Sequence, residues 1–149
     1  MIERMERFLR PVETEVINEV HIGQFPEIPA NSSVVHHLWR NLPEIWDGDC
    51  NMLRLQLITP GHAGRAFAAF AADGNCVNAN FLPYFMQKQM PENYYGKIIL
   101  LPGTLFADLR TSQQYVLGIN SVNRKQPISH RVLSSSNVPD KTYALVFKD

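Results

Sequence analysis

The chain has 149 residues, of which 45% are hydrophobic and 19% charged, a composition typical of one globular domain and not of a disordered or membrane-spanning chain. Fourteen basic and fourteen acidic residues give a formal net charge of zero, so the composition predicts no specific nucleic-acid site, which would need a concentrated basic surface. No apolar run reaches the roughly 18 residues of a transmembrane segment, and no secretory leader is recognisable, so we expect Cys50 and Cys76 to be reduced.

Helical spacing of apolar residues predicts a short N-terminal arm over residues 1–11, and a change to a period of two predicts that a strand begins over residues 12–16. The cap candidates Asn31–Ser33 precede a run with apolar residues on one face. The sequence therefore predicts a helix from about Ser33 to Asn41, which Pro43 limits.

Alternating leucines predict a strand from Met52 to Ile58 with one buried face. A polar turn, Thr59–Gly61, separates it from a second apolar run at Ala66–Ala72. The turns on both sides of this run favour a strand, although its alanines would also suit a helix.

The second half of the chain contains further short apolar runs between turn residues. Pro83 restricts Phe81–Met90 to a helix start or an irregular segment. Strands are predicted at Lys97–Leu101, Thr104–Leu109, Gln114–Asn120 and Thr142–Phe147, with a further short one at Ile128–Leu133. Closely spaced strands with turn-rich loops predict an all-β fold, a sandwich or a barrel.

Two short motifs, sixteen residues apart, introduce the Met52–Ile58 strand and the run after it. A Trp-x-Gly-Asp sequence begins at Trp46, and a His-x-Gly-Arg sequence begins at His62. Together with the later Asp-Leu at Asp108, this order resembles the picornavirus-like capsid protein family. The matching positions are Trp46, Gly48, His62, Gly64, Arg65 and Asp108.

The resemblance implies a jelly-roll β-sandwich of two antiparallel sheets, with one or two short helices in loops, over residues 1–149. It places the Met52–Ile58 strand beside Gln114–Asn120 and the Ala66–Ala72 strand beside Thr104–Leu109. The family's last strand would follow Asp149, so the resemblance implies either a fragment or a fold that closes differently. An expected function follows: a structural subunit of an icosahedral capsid that acts by self-assembly, without enzymatic activity, cofactor or metal.

The same resemblance implies other capsid subunits as partners, in a homo- or hetero-oligomeric shell, a host receptor as a further candidate partner, and a location in the virion and, during assembly, the host cytoplasm. Loops with aromatic residues at Phe81–Phe85 and Pro91–Tyr95 are predicted contact surfaces, with a local core under each loop as the equal alternative.

Two other functions are open. One is a small β-sandwich module that binds glycan or protein through its loops. The other follows from Cys50 and Cys76, whose preceding Asp-Gly-Asp and Asp-Gly-Asn resemble the nucleophile motif of ovarian-tumour-type cysteine proteases, with His130 as the candidate base. We favour the interpretation that both cysteines are small buried residues at turns, since neither is followed by the expected apolar-aromatic helix start.

Three further side chains are given structural roles. Trp39 and Trp46 are predicted to be core anchors. Arg65 is predicted to pair with a carboxylate such as Asp108 in preference to binding an anion.

Overall fold

A mixed β-sheet forms the centre of the protein. The computed structural model describes residues 16–88, 90–121 and 127–148. The strands in these residues are β1 (Val20–His21), β2 (Ser32–His37), β3 (Ile45–Trp46), β4 (Leu53–Leu57), β5 (Ile98–Asp108), β6 (Gln114–Asn120), β7 (Ile128–Leu133) and β8 (Thr142–Phe147). The helices are α1 (Ala63–Asp73) and α2 (Leu82–Gln87), with 3-10 turns at Cys50–Met52, Ala79–Phe81 and Glu92–Tyr94.

The six-stranded sheet has the order β4-β8-β5-β6-β7, and β2 pairs with β5 beside this path. A separate two-stranded sheet joins β1 to β3. The β5–β8 pair is parallel, with Ile98 opposite Thr142, and the other pairs are antiparallel. The long strand β5 therefore belongs to two neighbourhoods: its first half lies beside β8 and its second half beside β2.

The segment Asn75–Val77 fills the gap that opens where β5 leaves β8. The Val77 N–H donates to the Leu145 carbonyl, and the Gly103 N–H donates to the Val77 carbonyl. A Cβ atom at Gly103 would lie only 2.8 Å from backbone atoms of Cys76 and Val77. Glycine thus permits the close approach that joins the two halves of the sheet.

Neighbouring residues of β5 and β8 point to opposite sides of the sheet, and a hydrophobic core covers each side. On one face Leu101, Leu145 and Ile119 pack with Trp46, Phe81 and Phe85. We call this the aromatic core. On the other face the helix core contains Leu100, Val116, Ala144, Val146, Cys76 and the α1 residues Phe67 and Phe70.

Several predicted elements are confirmed. The strands at Gln114–Asn120, Thr142–Phe147 and Ile128–Leu133 have the predicted bounds, and β4 lies within the predicted Met52–Ile58. The strands predicted at Lys97–Leu101 and Thr104–Leu109 are one strand, because Pro102 and Gly103 continue the extended backbone between them. In coarse terms the predicted class is correct: the protein is mostly β, with two sheets and few short helices.

The helix predicted from Ser33 to Asn41 is wrong, since Ser32–His37 forms strand β2. Ser, Val and His have low helix propensity, and pairing with β5 from Ser32 opposite Asp108 to His37 opposite Thr104 supplies backbone hydrogen bonds instead.

The strand predicted at Ala66–Ala72 is also wrong, because this run belongs to helix α1. Alanine has the highest helix propensity, and Ala63, Phe67 and Phe70 recur at helical spacing and are buried. Gly74, in the left-handed conformation with φ of 77°, ends the helix.

The jelly-roll arrangement is not confirmed. Within the described residues β4 pairs with β8 and not with β6, and the run expected beside Thr104–Leu109 is helical. The parallel β5–β8 pair also departs from the prediction of purely antiparallel sheets. The arm predicted over residues 1–11 and the strand start at 12–15 lie outside the described residues.

Candidate binding groove

A groove of about 760 Å³ lies between the segment Ile17–Ala30 and the start of α2. We call it the apolar groove. Its lining includes the apolar residues Ile17, Phe25, Ile28, Ala79, Leu82 and Leu117. This volume is within the range of pockets that hold small ligands or short peptide segments.

Two large apolar side chains of this groove face solvent: Phe25 is 68% exposed and Ile28 is 43% exposed. Pro26 and Pro29 are next to them and also line the groove. Because proline fixes its own φ angle, the backbone of residues 25–29 loses little conformational freedom when a ligand binds.

The charged residues that line the apolar groove are acidic. Glu19 and Glu27 belong to its lining, and His21 lies 3.2 Å from the Glu19 carboxylate. Among the described residues that line it there is no lysine or arginine. The groove therefore offers a negative rim around an apolar floor.

Two asparagines, the buried Asn78 and the partly exposed Asn80, hold the wall of the groove at residues 21–24. The Asn80 side-chain amide donates to the carbonyls of His21, Ile22 and Gln24, at 3.0, 3.3 and 2.7 Å. The fully buried Asn78 amide donates to the carbonyls of Ile22 and Leu38, both at 3.0 Å. These bonds satisfy backbone acceptors that no strand partner reaches, so the wall is preformed.

His37 is a second support of this wall. Its Nε2 lies 3.0 Å from the Gln24 carbonyl oxygen, and its Nδ1 lies 2.8 Å from Thr104 Oγ1. Since a carbonyl can only accept, Nε2 carries the hydrogen, and in the neutral ring Nδ1 accepts from the Thr104 hydroxyl. Burial lowers the pKa of His37, which favours this neutral form.

The Trp46 motif has a structural role next to α2. Trp46 is buried, as predicted, and its indole N–H donates to the Asp49 carbonyl at 2.9 Å. Gly48 has a φ of 94°, and a Cβ there would lie 2.6 Å from the Tyr84 hydroxyl oxygen. Glycine is required here by both the left-handed backbone and the packing of Tyr84.

The His62 motif begins helix α1. The Ala63 and Gly64 N–H groups donate to the carbonyls of Ser136 and Ser134, which satisfies donors that the first helical turn leaves free. Arg65 is exposed on this helix. This motif therefore attaches α1 to the turn after β7.

The predicted pairing of Arg65 with Asp108 is wrong. Asp108 lies 3.5 Å from Arg110 and 3.8 Å from Arg131, and its carboxylate accepts from the Arg110 and Thr111 N–H groups. The hydrogen bond from the Arg110 N–H is the largest cause of a lowered pKa of Asp108. The local turn thus supplies partners nearer than α1 does.

The structure separates Cys50 from the other residues of the candidate cysteine protease site. Cys50 packs against the aromatic core, whereas Cys76 lies in the helix core on the other face, and both are free thiols. His130 packs near Gly118 and Leu100, on the side away from Cys50. A nucleophile–base pair between Cys50 and His130 is therefore excluded by the sheet between them.

Neither thiol is activated. Burial, followed by the charge of Asp73, raises the pKa of Cys76 to about 12, and its Sγ lies 3.6 Å from the Phe70 carbonyl. Burial and then Asp49 raise the pKa of Cys50. A catalytic cysteine needs the opposite environment, one that favours the thiolate.

Of the two alternatives for the aromatic loops, contact surface or local core, the structure supports the local core. Phe81, Phe85 and Tyr94 are almost fully buried around Trp46. Trp39 behaves in the opposite way: its prediction as a core anchor is wrong, because the side chain is 47% exposed.

No protein family model, curated protein or solved structure matches the chain. Among the described residues, no helix has the length and apolar character needed to cross a membrane. The same residues contain no cluster of three or more histidine, cysteine or acidic side chains suited to a metal ion.

Proposed function

We propose that this chain is a protein-binding module whose apolar groove holds a segment of a partner protein that carries apolar residues and at least one lysine or arginine. The observation that carries this proposal is the exposure of Phe25 and Ile28 in a groove with an acidic rim. Exposed apolar side chains collected in one concave, polar-rimmed surface are typical of interaction sites.

Preorganisation of the apolar groove favours binding. The wall at residues 21–24 is held by Asn78, Asn80 and His37, so binding does not have to order it. Burying Phe25 in a partner contact would remove apolar area from water, and such aromatic anchors often dominate binding energy. Glu19 and Glu27 would then select for a cationic partner segment.

The proposal also holds that the chain is not a cysteine hydrolase. It is supported by the raised pKa of both thiols and by the sheet that separates Cys50 from His130.

A capsid subunit is the second candidate, and one observation favours it: the open edges of the sheet. The Ile58 N–H donates to Thr142, so the backbone groups of Leu53, Leu55 and Leu57 point away from β8, where the described residues provide no partner strand. Such an edge can pair with another chain. Self-assembly would be its signature, seen as particles or large oligomers in analytical ultracentrifugation.

The binding proposal is tested with an array of ten-residue peptides in which leucine and phenylalanine alternate with lysine, with glutamate or with serine. We expect the lysine series to bind best. Phe25→Ser should weaken that binding at least tenfold, as expected for loss of an anchor worth more than about 1.4 kcal/mol. Leu109→Ser is the matched control, since Leu109 is 65% exposed and is not part of the groove lining.

Three results would overturn the proposal. Equal binding of the lysine and glutamate series would show that the acidic rim does not select the partner. Self-association that Phe25→Ser abolishes would assign the groove to a second copy of this chain. Binding that appears only after deletion of residues 1–15 would assign it to the chain's own first residues.

A further inference from the structure

A second cleft, of about 560 Å³, lies on the other side of the wall formed by residues 21–24. We call it the Trp39 cleft. Its lining combines Trp39 and Leu42 with the polar residues His21, Gln24, Arg40, Asn41 and Glu44. Trp39 is therefore the one large aromatic side chain among the described residues that line this cleft, and polar side chains surround it.

Trp39 is the larger part of the apolar surface in this cleft, with 47% of the residue exposed. The Arg40 guanidinium carbon lies 5.4 Å from the centre of the indole ring. This cation–π contact gives one face of the indole a polar neighbour. About half of Trp39 remains accessible to a ligand.

The polar groups around the ring provide both donors and acceptors. The amides of Gln24 and Asn41 can do both, the Arg40 guanidinium donates and the Glu44 carboxylate accepts. Arg40 and Glu44 also balance each other in charge. This differs from the apolar groove, whose charges are acidic alone and whose floor is mainly apolar.

We propose that the Trp39 cleft binds a neutral sugar ring. A pyranose has one face of C–H groups, which would stack on the indole of Trp39, and a rim of hydroxyl groups, which donate and accept hydrogen bonds as the surrounding side chains do. This inference concerns a different site from the proposed protein-binding groove and stands independently of it.

Two other ligand classes fit the cleft less well. A protein anchor is normally surrounded by contacts that exclude water, whereas the side chains around Trp39 are mostly polar. A nucleic acid requires several cationic groups for its phosphates, and here Glu44 offsets Arg40.

The test uses tryptophan fluorescence, because the chain has two tryptophans and the other one, Trp46, is 1% exposed. The probes are maltohexaose, cellohexaose and a chitin hexamer, supported by an array of neutral glycans. We expect at least one neutral glycan to bind, and we expect the bound oligosaccharide to shift the tryptophan emission. Because Trp39→Ala removes the fluorescent reporter, binding by the variants is compared with that of the parent by isothermal titration calorimetry. Trp39→Ala should weaken binding at least tenfold, and Arg40→Ala should weaken it less.

Trp39→Ala removes an exposed side chain, so the variant should retain the far-ultraviolet circular dichroism of the parent, and Phe25→Ser should leave sugar binding unchanged. Three results would overturn the proposal: no neutral glycan binds, Trp39→Ala binds as well as the parent, or only heparin and polyuridine bind with an affinity that falls steeply with salt. The last result would identify a purely electrostatic surface.

Discussion

His37 connects three segments of the chain through one ring: β2, on which it lies, the Gln24 carbonyl and Thr104 of β5. The ring is positioned for its neutral form, because Thr104 Oγ1 already accepts from the Ala79 N–H at 2.9 Å and donates its own hydrogen to Nδ1. Protonation would place a second donor against this hydroxyl and leave the hydroxyl hydrogen without its acceptor.

The stability of the protein should therefore depend on His37 below neutral pH. Since burial lowers its pKa in the folded state, the unfolded chain binds more protons at mildly acidic pH. The contribution of His37 is complete above about pH 6.5 and decreases as the pH falls from there toward the lower folded pKa. We expect urea unfolding to show a loss of free energy from pH 7.5 to pH 5 that is smaller in His37→Gln.

The charge of the exposed neighbour His36 contributes to the lowered pKa of His37, so His36→Gln should reduce the pH dependence, but less than His37→Gln does. His130, whose pKa burial also lowers, contributes the part that remains in His37→Gln. At pH 7.5 His37→Gln should itself lower the unfolding free energy by about 1–3 kcal/mol, because buried polar groups lose their partners. An unchanged pH dependence in His37→Gln would show that the ring is not held in its neutral form.

At the scale of elements, the backbones of β5 and the Asn75–Val77 segment approach each other very closely at Gly103. The nearest atoms to a Cβ at Gly103 are backbone atoms of Cys76 and Val77, at 2.8 Å, which cannot move without breaking the Val77 hydrogen bonds. We expect Gly103→Ala to lower the unfolding free energy by about 3 kcal/mol, at the upper end of the effect of overpacking.

Gly118 in β6 is the matched comparison. A Cβ there would meet Leu100 Cδ2 at 2.9 Å and His130 Cε1 at 3.2 Å, both of them ends of side chains, whereas the nearest backbone atom, the Ile99 carbonyl oxygen, lies at 3.3 Å. The two side-chain atoms can rotate away, so Gly118→Ala should be less destabilising than Gly103→Ala in the same urea titration. Equal losses would show that the Asn75–Val77 segment yields as easily as a side chain does.

The sequence predicts some elements correctly and others not, and the outcome depends on whether burial or intrinsic propensity determines their secondary structure. Strands β6 and β8 alternate or are wholly apolar between clear turn residues, and both are predicted with their observed bounds. In α1 the turns on either side argued for a strand, but alanine propensity and the spacing of Phe67 and Phe70 decide the outcome. In β2 the cap residues predict a helix, but the segment pairs with β5, whose residues are some 70 positions away in the chain. Ser32, for example, lies opposite Asp108.

The candidate sites could not be predicted in this way. The segment Ile17–Ala30 has no periodic pattern, and Pro26 and Pro29 indicate only an interruption of regular structure. What makes it the wall of a groove is its attachment to Asn78 and Asn80, which are more than 50 residues away. The exposed position of Trp39 likewise follows from the strand β2, since the predicted helix would have turned Trp39 toward the core.

The sheet carries three hydrophobic clusters in the described part of the chain, and two of them, the aromatic core and the helix core, share strands β5 and β8. In β5, Ile99 and Leu101 contribute to the aromatic core and Leu100 to the helix core, and in β8 Leu145 and Val146 divide in the same way. Residues of both cores therefore alternate along the same pair of neighbouring strands. We therefore expect the described structure to unfold as one cooperative unit.

Cys50 and Cys76 can test this, because each reports on a different core. In the folded protein at pH 7 a thiol with a pKa of about 12 is a thiolate in only about one molecule in 100,000, so Cys76 should react with a thiol reagent far more slowly than the half-buried Cys50. With rising urea both thiols become accessible through the same global opening. In Cys50→Ala and Cys76→Ala, each of which leaves one thiol, the midpoint of labelling should then coincide with the midpoint of that variant's circular dichroism. A midpoint for Cys50 at clearly lower urea would instead mean that the aromatic core opens by itself, and that the sheet does not couple the two faces.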